Sequence, residues 1–448
     1  MRPGLGQACT LTVEGTDASV IQLPAVVGEV VRSVGLSAAM RAAGMVTSRL
    51  PIPQPTLLVG AGASRRLGEL LAGFGHRRIL VVTDRVISQM GLADALLDAL
   101  EKGGTGYVVF DDVTADAPIP MIESGIAFYR KHGCDAIVAF GGGSPMDTAK
   151  TIALAVANDK PPRDLVGYFR GLRSPVPVYA VPTTAGTGSE VTVAAVISDP
   201  EAGKKFVIAD TRLVPSVAAL DPTLMTGLPR RVTAATGMDA LTHAVEAFLG
   251  HWSTEQSDRM ALAAVAIIYA NLRKVYRNGK NLAAREQMAL AATYGGLAFT
   301  RANVGYAHAI AHQLGGRYHV PHGLANAIVL PHVLAFLAPA VTDRLAILAV
   351  RAKVGRESER PAALARKFRA SVEALNRDLG IPPYLDALRD EDIPELAKAA
   401  CWEADTGYPV PRYMSRDDCE RLLRKLLPPA KVRKAAARPS RRIGARSA

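Results

Sequence analysis

DAIVAFGGGSPMDTAKTIALAVAN, Asp135–Asn158, is the stretch whose reading decides the fold. It opens as an apolar run of strand length, turns on Gly141, Gly142 and Gly143, and continues with helical character. A strand that runs through a glycine turn into a helix is the unit of a parallel α/β layer. Glycines let backbone N–H groups approach a phosphate, Ser144 is placed to cap the helix, and Pro145 suits a first turn. The helix N-terminus adds partial positive charge. Any tight turn can imitate this pattern, so the flanking sequence has to decide.

Upstream, TLLVG, RILVVTD and GYVVFDD each look like a buried strand, and SRRLGELLAGF and ADALLDALEKGG look like helices between them. Downstream, PVYAVP, VTVAAVISD, KKFVIAD and VPSVAALD continue the strand signals to about residue 221. After Pro229 the strands stop, and Ala- and Leu-rich segments of helical spacing run almost to Leu427. The expected architecture is an α/β domain with a parallel sheet over residues 51–224, followed by an all-helical domain over 225–428. A chain of 448 residues that is 49% apolar is too long for one core, which agrees with two domains. Residues 1–50 show no period and remain an unassigned extension.

The formal charge is +12, but seven of those charges fall between Lys431 and Arg446 without an acid among them. This tail, 429–448, could touch nucleic acid or an anionic surface. Its lack of interleaved aromatics and of apolar residues favours a solvated, disordered end. Cys9, Cys134, Cys401 and Cys419 form no CxxC pairing and read as free thiols in a reducing compartment. No charged-then-apolar leader opens the chain, and the longest uncharged run, Leu324–Val341, reads as a buried helical segment. These points predict a cytoplasmic protein with no membrane span.

Two features support a dinucleotide at the glycine turn. Asp84 ends the strand RILVVTD, where a carboxylate accepts from ribose hydroxyls and repels a 2′-phosphate, favouring NAD over NADP. VPTTAGTGSE, Val181–Glu190, offers the hydroxyls of Thr183, Thr184 and Thr187 beside two glycines, although an ordinary Thr/Gly loop looks the same. GAGASR at Gly60 approximates GxGxxG but lacks its third glycine, so the pyrophosphate is not assigned there.

In the second half, Asp239 and His243 are four apart in a helical pattern and share a face. Five of the nine histidines crowd between His308 and His332, with His308 and His312 again four apart and His322 in the turn VPHG. One carboxylate and three imidazoles suit a divalent cation acting as a Lewis acid. His319 and His332 are expected to be packed core residues; His76, His132 and His251 are expected at the surface or in loops.

GGGSPMDTAK, VPTTAGTGSE, ATGMDALTHAVEAF, GLAFTRANVGYAHAIAHQLGG and VPHGLANAIVLPHV, taken in this order, resemble the iron-containing (group III) alcohol dehydrogenases from about Pro53 to Leu427. The resemblance implies a homodimer with nucleotide held by the first domain, metal by the second, and catalysis between them. By motif, Asp239, His243, His308 and His322 would ligate the metal, and His312 would stand beside the nicotinamide and assist proton transfer. Asp84, Gly142, Gly143, Ser144, Asp147, Thr183, Thr184, Thr187 and Lys205 would line NAD, and Phe299 would lie near the substrate. The metal would be Fe²⁺, with Zn²⁺, Ni²⁺ or Mn²⁺ accepted by the same donors.

The chain also departs from the family pattern. Ala117 stands where Asn is usual before the loop proline. Arg301 and Tyr306 replace smaller or polar residues near the first histidine of the pair, which predicts an altered substrate pocket. TGYPVPRY replaces the commoner Asn-Pro-Arg ending. The implied reaction is hydride transfer between NAD(H) and a small alcohol or aldehyde. A rival is a metal-dependent lyase or synthase of the dehydroquinate synthase type, which expects Glu in the ligand set. A second is a non-enzymatic binding protein using the basic tail, which nothing in the folded region supports.

Overall fold

The computed structural model describes residue 44 and residues 50–429; the N-terminal extension and the basic tail otherwise lie outside the described residues. Six strands form one wholly parallel sheet: β1 (Thr56–Val59), β2 (Arg78–Val82), β3 (Gly106–Phe110), β4 (Ala136–Gly141), β6 (Val178–Pro182) and β9 (Val217–Leu220). Their spatial order is β1-β9-β6-β4-β2-β3. Helices cover both faces, so the strands are apolar runs rather than alternating ones, and every residue of β4 is buried.

That strand order places the functional loops. The chain leaves β2 toward the edge strand β3 and then returns to β4 on the other side of β2. A crevice therefore opens at the carboxyl ends of β2 and β4, the place where such sheets bind ligands. The register aligns Val82 with Ala139 and Gly141 with Pro182. Asp84, the glycine turn and the Thr/Gly loop consequently emerge side by side.

Two strand-like runs behave differently from the rest. VTVAAVISD and KKFVIAD form β7 (Ala194–Asp199) and β8 (Lys204–Ala209), an antiparallel pair joined with β5 (Gly167–Tyr168) in a separate three-stranded sheet. Their connection is too short for the crossover that a parallel pair needs. Gly203 supplies the positive φ of that hairpin.

The α/β half contributes helices α1 (Ala63–Ala72), α2 (Arg85–Gln89), α3 (Asp94–Lys102), α4 (Ile119–His132) and α5 (Gly143–Asn158). A 3₁₀ turn at Pro222–Met225, capped by Asp221, leads into the helical half. There follow α6 (Arg230–Leu249), α7 (Glu255–Arg277), α8 (Leu282–Ala302), α9 (Tyr306–Tyr318), α10 (His322–Leu337), α11 (Thr342–Arg351), α12 (Pro361–Asp378), α13 (Ile393–Gly407) and α14 (Arg416–Arg424). Fifteen of the twenty α6 residues are buried, which makes it the central helix of this half. No helix among the described residues is long and apolar enough to cross a membrane.

Small residues let the two halves approach closely. A Cβ on Gly188 would lie 2.7 Å from the Gly296 Cα, and one on Gly186 would lie 2.7 Å from the Thr236 Cβ. The Thr/Gly loop of the first half is thereby wedged against α6 and α8.

Candidate functional site

Three helices of the second half bring Asp239, His243, His308 and His322 together. Asp239 and His243 lie one turn apart on α6, His308 is in the first turn of α9, and His322 opens α10 behind Pro321. One ligand-type atom from each lies within 4.8 Å of the other three. His243 Nδ1 and His308 Nε2 are buried with no hydrogen-bond partner. A buried polar atom left unpaired is costly, and a cation at the cluster would satisfy His308 Nε2, since Glu246 takes the Nδ1 of that ring.

The electrostatics agree with a cation site. Burial, reinforced by His243 and His322, drives His308 well below the usual imidazole range. Burial likewise lowers His243, and it pushes His322 down to about 4. Burial alone would raise Asp239, but His243, His322 and His308 hold it below the ordinary carboxylate value. Neutral imidazoles and an ionised carboxylate are the forms that ligate metal. The residues present therefore fit a divalent cation.

Outer contacts fix these ligands. Glu246, one turn after His243, accepts from His308 Nδ1 at 2.6 Å, from Gly305 N at 2.9 Å and from Ala307 N at 2.7 Å. It thus satisfies donors at the start of α9, whose own N-cap, Gly305, offers no side chain. It also leaves Nε2 of His308 facing the cluster. Asn326 donates to Asp239 at 2.8 Å and lies 3.2 Å from His322 Nε2. The Gly186 backbone hydrogen-bonds the His243 ring, so the first half also supports a residue of the cluster.

His312 stacks on His322 at 5.3 Å and meets His308 edge-on at 6.1 Å, outside the group of four. Phe299 stacks on His243 at 4.3 Å and gives the cluster an aromatic wall.

On the other side, the glycine turn packs on the threonine loop. A Cβ on Gly143 would come within 3.1 Å of Thr187, and one on Gly142 within 3.4 Å of Thr184. Thr183 N donates to Gly141 O at 3.0 Å. Gly141 is required by two constraints, a φ of +153° and a Pro145 ring that a Cβ would approach to 2.5 Å. This cradle at the α5 N-terminus fits a pyrophosphate. Ser144 does not cap α5; its Oγ accepts from Asp116 N at 3.2 Å, and Gly142 is the N-cap. Asp84 caps α2 through Ile87 N.

Asp147 and Lys205 are less open to a ligand than their motif suggests. Asp147 accepts from Ser189 Oγ at 3.0 Å, and burial pushes it up to about 6. Lys205 is paired with Asp116 at 2.6 Å. Beneath the cradle, the fully buried Lys150 donates to Ser189 Oγ, to both oxygens of Thr192 and to Ala194 O, at 2.8–3.2 Å.

Other expectations need correction. Tyr306 does not shape a substrate pocket: it is wholly buried, donates to Asp405 at 2.7 Å and accepts from Met414 N at 2.7 Å. Arg301 lines a small cavity with Gln54, Gln256 and Thr300. His319 is exposed and ends α9 with a φ of +54°, where no core role is open to it. His332 is half-buried. His76 does lie in a loop, the one before β2, where it is tied to Tyr179 at 2.8 Å. Ala117 is fully buried at a φ of +45°, a conformation that Asn tolerates better, and its carbonyl accepts from Ser198 N.

Sequence reasoning missed Glu246, Asn326, Lys150 and Glu403. For Glu246 a signal existed, a carboxylate three residues after His243 and so on the same helix face as Asp239 and His243. Glu403 had none, since it reaches His312 across 91 positions of sequence.

A nucleotide-type α/β half joined to a helical half that holds a buried Asp/His₃ cluster defines a metal-dependent enzyme of the dinucleotide-binding class. The comparisons narrow this further. The iron-containing alcohol dehydrogenase model matches residues 54–222, and the C-terminal model of the Fe-containing alcohol dehydrogenase family matches 233–427. The chain belongs to the iron-containing alcohol dehydrogenase family. It is 36% identical over 375 residues to the NAD-dependent methanol dehydrogenase of Bacillus methanolicus, covering 83% of this chain and 98% of the relative. It is 40% identical over 348 residues to the 1,3-propanediol dehydrogenase of Klebsiella pneumoniae, covering 76% and 89%. A crystal structure of 1,3-propanediol oxidoreductase superposes with a TM-score of 0.81 at 36% identity, covering 84% of this chain and all of that one.

Proposed function

We propose that this chain interconverts small alcohols and aldehydes with NAD(H) at a divalent metal, Fe²⁺ by family, held by Asp239, His243, His308 and His322. The observation that carries the proposal is the convergence of four ligand-type atoms within 4.8 Å. When bound, the cation supplies Lewis acidity to a substrate oxygen and the nicotinamide supplies the hydride acceptor or donor.

The protein's own residues position and protonate. Gly142, Gly143, Ser144, Thr183, Thr184 and Thr187 cradle the pyrophosphate, and Asp84 takes the ribose hydroxyls. Asp147 and Lys205 border this site through Ser189 and Asp116. Phe299 forms the apolar wall against which a short carbon chain packs. His312, beside the cluster but outside it, accepts the hydroxyl proton during oxidation and returns it during reduction. Residues 51–224 serve as the nucleotide domain and 225–428 as the metal domain. The working unit is a homodimer in the cytoplasm. The free thiols of Cys134, Cys401 and Cys419 are compatible with that compartment.

A panel of short alcohols, diols and aldehydes assayed with NAD(H) tests this reading. Bulk formation of NADH with at least one alcohol, abolished by a metal chelator, is the expected result. Absence of NADH with every alcohol would favour the lyase-type chemistry and refute the proposal.

A further inference from the structure

Glu403 projects from α13 into a knot of three donors. Its Oε1 accepts from His312 Nδ1 at 2.6 Å and from the Tyr408 hydroxyl at 2.5 Å, and its Oε2 accepts from Gln313 Nε2 at 2.7 Å. Both side chains are largely enclosed, His312 with 18% and Glu403 with 24% of the side chain exposed. An ionised carboxylate can only accept, so the imidazole nitrogen facing it carries the hydrogen. In a neutral ring the other nitrogen, Nε2, then holds the lone pair. The cluster of four does not use it.

We infer that Glu403, braced by Tyr408 and Gln313, is a positioning residue that holds His312 in the tautomer with Nδ1 protonated and Nε2 free to accept a proton. The inference rests on the reading of His312 as the proton-handling group. It also gives a role to the segment TGYPVPRY, where this chain departs from the commoner Asn-Pro-Arg ending: Tyr408 is the second donor to Oε1. Without that hydroxyl the carboxylate loses one of its three anchors and can swing away from His312. Short hydrogen bonds to a charged acceptor are the stronger kind, and convergence of three leaves Glu403 little rotational freedom.

The test uses full-length zinc-loaded protein carrying ¹⁵N-histidine, with the His312 resonances identified by their loss in His312→Ala. The parent is expected to show the Nδ1–H tautomer. Glu403→Ala should show a mixture or the opposite tautomer, with metal content unchanged. Glu403→Gln retains an oxygen for His312 once the Gln313 amide rotates to accept, so the parental tautomer should persist. In turnover, Glu403→Ala should lower kcat roughly 10- to 100-fold with KM for NAD within about twofold, and Glu403→Gln should fall between. Tyr408→Phe should act in the same direction but less. The double variant His312→Ala/Glu403→Ala should be no slower than His312→Ala alone.

A parent that shows Nε2–H overturns the inference. So does a Glu403→Ala enzyme that keeps the parental tautomer, whatever its rate, or one whose kcat stays within about twofold of the parent while His312→Ala is slow. Full activity in His312→Ala would instead overturn the proposed role of His312, and the spectra would still decide what Glu403 does. Should Glu403→Ala fail to fold, the parental spectrum and the Tyr408→Phe rate decide the matter.

Discussion

Glu246→Gln separates the holding of a metal ligand from the holding of the fold. In the parent, Oε2 takes two donors, Gly305 N and His308 Nδ1, and Oε1 takes one, Ala307 N. A glutamine keeps most of these by placing its oxygen at the two-donor position, which turns its NH₂ against Ala307 N. Two buried donors are then unsatisfied, at about 1–3 kcal/mol each. Against this stands a relief. Burial pushes the Glu246 carboxyl up from 4.5 to about 7, and removing that charge returns about 3 kcal/mol at pH 8. The net loss of fold stability in metal-free protein is therefore no more than about 3 kcal/mol. Metal affinity has no such offset, because the charge that polarises and orients His308 is gone, and it should fall roughly 10- to 100-fold. Competition for Zn²⁺ between metal-free protein and a chromophoric chelator at pH 8 measures this, with urea unfolding as the stability control. A folded Glu246→Gln protein that binds Zn²⁺ within about twofold of the parent would refute the argument that an outer carboxylate sets the ligand.

Two further predictions concern the frame around the site. Gly188→Ala places a Cβ at a φ of +63° and 2.7 Å from the Gly296 Cα. It should destabilise by about 2–5 kcal/mol, combining left-handed strain with overpacking, and should weaken NADH binding as read by cofactor fluorescence. An unchanged unfolding midpoint would show that the two halves do not touch there. Burial pushes the Cys134 thiol up to about 11. At pH 8 its thiolate fraction is then roughly a hundredfold below that of an ordinary cysteine, and alkylation by iodoacetamide in the native protein should be slower by a similar factor. Raising the pH toward 11 should accelerate the reaction, and labelling at pH 8 as fast as in free cysteine would contradict the burial argument.

Much of the architecture was legible because it is local. Strand, glycine turn and helix are contiguous in DAIVAFGGGSPMDTAK, and the i, i+4 spacing of Asp239 with His243 follows from helix geometry. Hidden from that reading was whatever depends on partners distant in sequence. Ser144 looked like a cap, but the turn residue Gly142 took that position. Tyr306 looked like a pocket residue until Asp405 and Met414 claimed its hydroxyl. VTVAAVISD and KKFVIAD read as strands like the others, and only the short connection between them, which forbids a crossover, marks them as an antiparallel pair outside the parallel sheet. His319 looked like a core histidine, yet it ends a helix in the left-handed region. Glu403 and Lys150 were hidden for one reason: an enclosed charge is recognised by its partners, and all the acceptors of Lys150, like His312 and Gln313 for Glu403, lie tens of residues away.

The account stands or falls on whether four side chains hold a single cation. Elemental analysis of anaerobically purified protein, parent beside His308→Ala, tests this most directly. The parent should carry close to one divalent metal per chain, and His308→Ala, still folded, should carry almost none. A folded His308→Ala protein that retains the parent's full metal content would contradict the assignment of the site.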